Sequence, residues 1–136
     1  MGVDEHTPEL NGGNVSIWEG GASNYFDDPE NWLPGGIPGK DDTAVFNVTG
    51  SRLVQFYNTN RIGSLYVTGG DLTFDLSGIT LELLSQSDPL RAVSYDSPSS
   101  VIFKGGGQEA GTLKIQSALL RLVGSDISFE DGVELR

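Results

Sequence analysis

A three-residue pattern, apolar–any–apolar, constrains this chain more than any other feature. It recurs as Leu65-Tyr66-Val67, Leu72-Thr73-Phe74, Leu81-Glu82-Leu83, Leu113-Lys114-Ile115, Leu120-Arg121-Leu122, Ile127-Ser128-Phe129 and Val133-Glu134-Leu135, with Val101-Ile102-Phe103 between the two groups. Side chains alternate across a strand, so each triplet reads as one short strand with both apolar residues on one side. All but Val133-Glu134-Leu135 are followed within two residues by Gly, Asp or Ser, which are turn formers. Such close spacing leaves no room for helices between parallel neighbours. Two architectures remain. In a solenoid the chain turns a corner after each triplet and stacks like positions coil on coil, with repeats of roughly 20 to 45 residues. In an antiparallel β-sandwich the strands join as hairpins, whose turns need residues such as Asn-Gly or Asp-Gly. Asp131-Gly132 qualifies and most of the other turns do not. The expected fold is an all-β, short parallel β-solenoid, with the sandwich as runner-up.

Internal similarity points the same way. Gly63-Ser64-Leu65-Tyr66-Val67 returns as Gly111-Thr112-Leu113-Lys114-Ile115, and Gly78-Ile79-Thr80-Leu81-Glu82-Leu83 returns as Gly132-Val133-Glu134-Leu135. The first separation predicts matching positions two coils apart. Two stretches interrupt the rhythm: 84–100, with Asp88-Pro89 and Ser97-Pro98, and 104–111, with Gly105-Gly106-Gly107. Both are predicted to be protruding loops, where insertions cost little and contacts collect.

The front of the chain differs. Residues 1–14 are acidic with little apolar content, and read as an extended arm. Residues 15–47 carry Ile17, Trp18, Tyr25, Phe26, Trp32 and Phe46 between turn-rich segments. Large rings with two χ angles each suit an irregular segment that closes one end of a core. An N-terminal cap is expected at 15–47, followed by solenoid coils over 48–136.

Charge and composition exclude several functions. The 136 residues carry a formal net charge of −11, and residues 1–42 hold nine acids against Lys40 alone. Such a field repels polyanions, so nucleic-acid binding is not expected. With no cysteine, disulfides and thiolate sites are ruled out, and stability must come from packing and backbone ladders. No apolar run reaches membrane-spanning length and no basic, apolar leader precedes Pro8. Membrane insertion is not expected. The outside of a virion, reached by assembly and lysis, or a larger exported protein are the two settings considered.

A motif sharpens this. Ile17-Trp18-Glu19-Gly20-Gly21, then Pro29-Glu30-Asn31-Trp32, then Gly36-Ile37-Pro38-Gly39-Lys40-Asp41-Asp42-Thr43-Ala44-Val45-Phe46 form a W-x-G, N-W, G-x-P, D-x-A-x-F series. The series resembles the opening of β-helical segments in bacterial surface proteins, autotransporter-associated strand-repeat proteins and phage structural proteins. It covers about thirty residues. The resemblance implies a right-handed β-helix capped by Trp18, Trp32, Pro38 and Phe46, with a structural rather than catalytic role.

Candidate chemistry is sparse. Asp27, Asp28, Asp41 and Asp42 are the calcium candidates, since calcium takes six to eight oxygens. No EF-hand spacing is present, and capping of local backbone N–H groups is the favoured role. His6, the only histidine, lies in the arm, which removes a Ser-His-Asp triad. Parallel β-helices include polysaccharide lyases and glycosidases, whose paired carboxylates lie about 5 to 10 Å apart. Asp71, Asp75, Glu82, Asp126, Glu130 and Glu134 instead read as outward or turn positions on a solvated face. Gly105-Gly106-Gly107 lacks the following Lys-Ser/Thr and the helix of a phosphate loop. Asn14-Val15-Ser16 and Asn47-Val48-Thr49 match a glycosylation sequon.

The expectation is a non-enzymatic protein without cofactor: a phage capsid decoration or cement protein on a virion surface, with protein partners and a homo-oligomer, a trimer foremost. Its contacts are expected at Asp4, Glu5, Glu9, Tyr95 and Asp96. A bacterial adhesin or autotransporter-like domain at the cell surface is the alternative. A carbohydrate-binding module using Tyr25, Tyr57, Tyr66 or Tyr95 is a third.

Overall fold

Alternation of apolar residues commits each segment to one buried face, and the computed structural model shows where those faces meet. It describes residues 14–34, 36–85, 89–93, 99–105, 110–115, 120–123, 125–130 and 132–135. The strands are β1 (Val15–Trp18), β2 (Trp32–Leu33), β3 (Thr43–Val54), β4 (Asn60–Ile62), β5 (Ser64–Asp75), β6 (Thr80–Leu83), β7 (Leu90–Val93), β8 (Ser99–Lys104), β9 (Gly111–Ile115), β10 (Leu120–Val123), β11 (Ser125–Phe129) and β12 (Val133–Leu135). Every pairing among them is parallel except that of β1 with the short β2.

The chain coils as a three-faced β-solenoid of about four turns. On the first face β1, the front of β3, the front of β5, β7 and β10 stack in that order, with Ala44 beside Leu65 and Leu65 beside Leu90. The second face stacks the rear of β3, the rear of β5, β8 and β11, and aligns Val54, Phe74, Phe103 and Phe129. β4, β6, β9 and β12 form the third, aligning Asn60, Leu81, Leu113 and Leu135. The inward members of these rows make one core, in which Ala44, Phe46, Val54, Leu65, Leu72, Phe74, Leu81, Val101, Phe103 and Leu113 are fully buried. Rows of identical or similar apolar residues fill a coil without voids because each side chain rests on its counterpart one coil away.

Three sequence expectations need correction. Leu65-Tyr66-Val67 and Leu72-Thr73-Phe74 are not separate strands but the two arms of β5, bent at Gly69-Gly70. Gly70 has φ +93°, and a Cβ there would lie 2.9 Å from the Val48 carbonyl oxygen of the coil before, so the bend needs glycine. The match of Gly63–Val67 to Gly111–Ile115 does not mark like positions, because the first lies on the first face and the second on the third. A glycine followed by a period-two triplet suits any face, and the likeness records only that. The other repeat does mark like positions: Leu81 and Leu135 flank Leu113 in one row.

The third correction concerns the stretch 84–100, expected as a loop. It contains β7, whose Leu90 is fully buried and stands beside Leu65 in the first face. In the other interruption, Gly111 donates its N–H to the Gly132 carbonyl at 2.8 Å. A Cβ on Gly111 would lie 2.3 Å from the Leu76 carbonyl oxygen, so this corner of the third coil closes only around glycine.

Candidate functional site

The cap is where the sequence places most of its named residues, and the structure brings three of them together. Trp18 ends β1, Trp32 begins β2, and their rings meet edge to face with centroids 5.3 Å apart. Phe46, on β3, lies 5.3 Å from Trp18 and 5.5 Å from Trp32. Phe26 completes the cluster 4.9 Å from Trp32, and the Trp32 indole N–H donates to the Phe26 carbonyl at 2.6 Å. Pro38 is buried too. From Phe46 a line of rings continues through Phe74 at 5.1 Å, Phe103 at 5.4 Å and Phe129 at a further 5.4 Å. The aromatic cap and the coils therefore share one core.

The residue that organises the cap is Asn31, which the sequence offered only as part of an N-W anchor. It is fully buried. Its Oδ1 accepts from the N–H groups of Ala22 and Ser23, and its Nδ2 donates to the Ser23 hydroxyl and the Tyr25 carbonyl. One carboxamide thus satisfies an irregular loop that has no ladder of its own. Ser23 in turn donates its hydroxyl to Asp28 Oδ2 at 2.8 Å.

The four carboxylates named as calcium candidates are divided among separate tasks. Asp28 caps the 3₁₀ turn Pro29–Asn31, accepting from the Glu30 N–H. Asp27 reaches the next coil and accepts from the N–H groups of Tyr57 and Asn58 and from Asn60 Nδ2. Asp42 accepts from Gly39 N–H at 2.7 Å and from Asn14 N–H at 2.9 Å, tying the start of β1 to the start of β3. Asp41 is exposed. Among the described residues no three His, Cys, Asp or Glu are grouped to hold a metal ion.

On the outside of the third face Glu82 departs from the solvated role expected of it. Its side chain is only 11% exposed, with Arg61 Nε 2.8 Å from Oε1 and Lys114 Nζ 3.4 Å from Oε2. Burial pulls its carboxyl upward, but the Arg61 hydrogen bond and the charge of Lys114 outweigh it and hold the group below the usual carboxylate range. Stacking puts residues 61, 82 and 114 side by side, one per coil, and so builds a charge ladder. Two other ladder acids are also bonded: Asp71 accepts from the Ser100 hydroxyl of the next coil at 2.9 Å, and Asp75 accepts locally from the Ser77 N–H and hydroxyl.

The tyrosines divide as well. Tyr66 is covered by Arg91, whose guanidinium carbon stands 4.8 Å from the ring centroid and whose Nη1 donates to the phenol oxygen at 3.0 Å. Tyr25 and Tyr57 stack on the outer surface with centroids 3.6 Å apart and planes inclined by 6°. The expected contact residues Asp4, Glu5, Glu9, Tyr95 and Asp96, together with His6, lie outside the described residues.

Comparison with protein-family models, curated proteins and solved structures gave no match. The class is therefore defined by the coil itself, a parallel β-solenoid with an aromatic cap.

Proposed function

We propose that this chain is a non-enzymatic structural protein of a virion surface, a decoration or cement protein that stabilises an assembly. The observation that carries the reading is how the described polar groups are used. Asn31, Asp27, Asp28, Asp42 and Glu82 are all committed to holding backbone or neighbouring charges, and the interior is filled by the rows around Phe46, Phe74 and Phe103. What such a coil offers to others is a rigid outer surface and an acidic field, which repels nucleic acid and suits the outside of a particle. The opening motif, similar to that of phage and bacterial surface β-helices, supports the same reading.

The bacterial surface domain is a second reading, favoured by Phe129, which stacks on Phe103 yet remains 38% exposed. It offers a step on which another coil can rest. Size-exclusion chromatography with light scattering separates the two. A stable trimer is expected for the virion protein, whereas a monomer across the accessible concentration range overturns it in favour of the surface domain.

A further inference from the structure

We propose that the Tyr25–Tyr57 stack is a carbohydrate platform that takes one pyranose ring of a neutral glycan on the free face of Tyr57. Tyr57 is 62% exposed although one of its faces is covered by Tyr25 at a centroid distance of 3.6 Å. The exposure that remains belongs to the opposite face and the edge of the ring. Neither tyrosine belongs to the buried core cluster, so core packing does not account for the stack.

Both rings are mounted on immobilised backbone. The Tyr57 and Asn58 N–H groups donate to the Asp27 carboxylate, at 2.9 and 2.8 Å, and Asn60 Nδ2 closes the same loop by donating to the Asn58 carbonyl at 2.8 Å. Tyr25 donates its N–H to the Ser23 hydroxyl, gives its carbonyl to Asn31 Nδ2, and pairs with Gln55 in a parallel bridge. An exposed ring already fixed in position loses little further freedom when a ligand lands on it.

The surroundings select the ligand class. Asn24 and Asn58, both exposed, adjoin the two tyrosines in sequence and supply carboxamides suited to sugar hydroxyls. Asp27, which accepts from the Tyr57 N–H, and Asp28, which accepts from the Ser23 hydroxyl, put negative charge beside the stack and disfavour phosphate and sulfate, and with them nucleotides and acidic glycans. The aliphatic C–H face of a pyranose is neutral and flat, and meets the electron-rich face of a tyrosine favourably.

The test is NMR titration of the full chain with cellohexaose, xylohexaose, maltohexaose and chitohexaose, each to about 10 mM, a range that detects weak affinities. At least one is expected to shift the ring resonances of Tyr57 and Tyr25. Tyr57→Ala should weaken that sugar about tenfold or more, while Tyr57→Phe, which keeps the ring face, should retain it. Tyr66→Phe, away from the stack, should change nothing. The proposal is overturned if none of the four sugars moves the Tyr57 ring, if binding survives Tyr57→Ala, or if the ring shifts follow protein concentration rather than sugar and so report contact between copies.

Discussion

Phe74→Ala is the substitution through which the stacked core can be measured. The ring is fully buried, with Phe46 5.1 Å away and Phe103 5.4 Å away. Truncating a buried phenylalanine costs about 3–5 kcal/mol from lost transfer energy and the cavity left behind. Two ring neighbours place Phe74 toward the upper part of that range, because an aromatic pair adds about 0.5–1.5 kcal/mol beyond area. Total stability of about 0.05–0.15 kcal/mol per residue gives a chain of this length roughly 7–20 kcal/mol, so the variant is expected to fold but melt far lower. Phe129→Ala is the internal control. Phe129 occupies the same row but is 38% exposed, with Phe103 as its one ring neighbour among the described residues, so about 1 kcal/mol is expected. Urea unfolding followed by far-ultraviolet circular dichroism and by tryptophan fluorescence gives both values, with coincidence of the two probes checking two-state behaviour. Near-equal losses for the two variants, or a loss below about 1 kcal/mol for Phe74→Ala, would refute the row as drawn.

Further variants probe the other supports. Asn31→Ala leaves the Ala22 and Ser23 N–H groups and the Tyr25 carbonyl without their side-chain partner, and should cost about 2–4 kcal/mol in the same unfolding assay. Gly111→Ala forces a Cβ to within 2.3 Å of a backbone oxygen and should lower the melting temperature by more than any exposed glycine substitution, such as Gly21→Ala, read by calorimetry. Glu82→Gln should cost about 1–2 kcal/mol at neutral pH, the half-exposed Arg61 and Lys114 being partly screened. Since the folded-state pKa of Glu82 lies below its unfolded value, its stabilisation is present above the ordinary value of 4.5 and is lost as pH falls through the lower folded value. The gap between wild type and Glu82→Gln should therefore close in acid, as urea midpoints at neutral and strongly acidic pH will show.

The general architecture was legible because period-two alternation survives in the residues themselves. Leu65, Val67, Leu72, Phe74, Leu81 and Leu83 all point inward, as the triplets required. The clustering of Trp18, Trp32 and Phe46 follows from three large rings in a short front segment, but the boundary drawn between 47 and 48 does not, because β3 runs across it and β1 already pairs with β3 in the first face. Assignment of triplets to faces was not legible, since the corner at Gly69-Gly70 and a strand end look alike in sequence. β7 was hidden by Pro89 before it and by its polar Arg91, although Leu90 sits in the row like the other leucines. Glu82 was misread because its partners Arg61 and Lys114 become neighbours only through coiling, and nothing local announces them. Asp27 was named, but its partners Tyr57 and Asn58 come beside it only through coiling. Asn31 was passed over because an asparagine in an N-W pair does not announce that it will be buried and bonded to the loop before it.

Backbone nuclear Overhauser contacts test the stacking most directly, because hairpins and coils pair different residues. The coil predicts parallel-strand contacts joining Leu65 to Leu90, Leu72 to Val101 and Leu81 to Leu113. Close Hα–Hα contacts between the Leu65–Val67 and Leu72–Phe74 segments, the mark of an antiparallel hairpin, would contradict it.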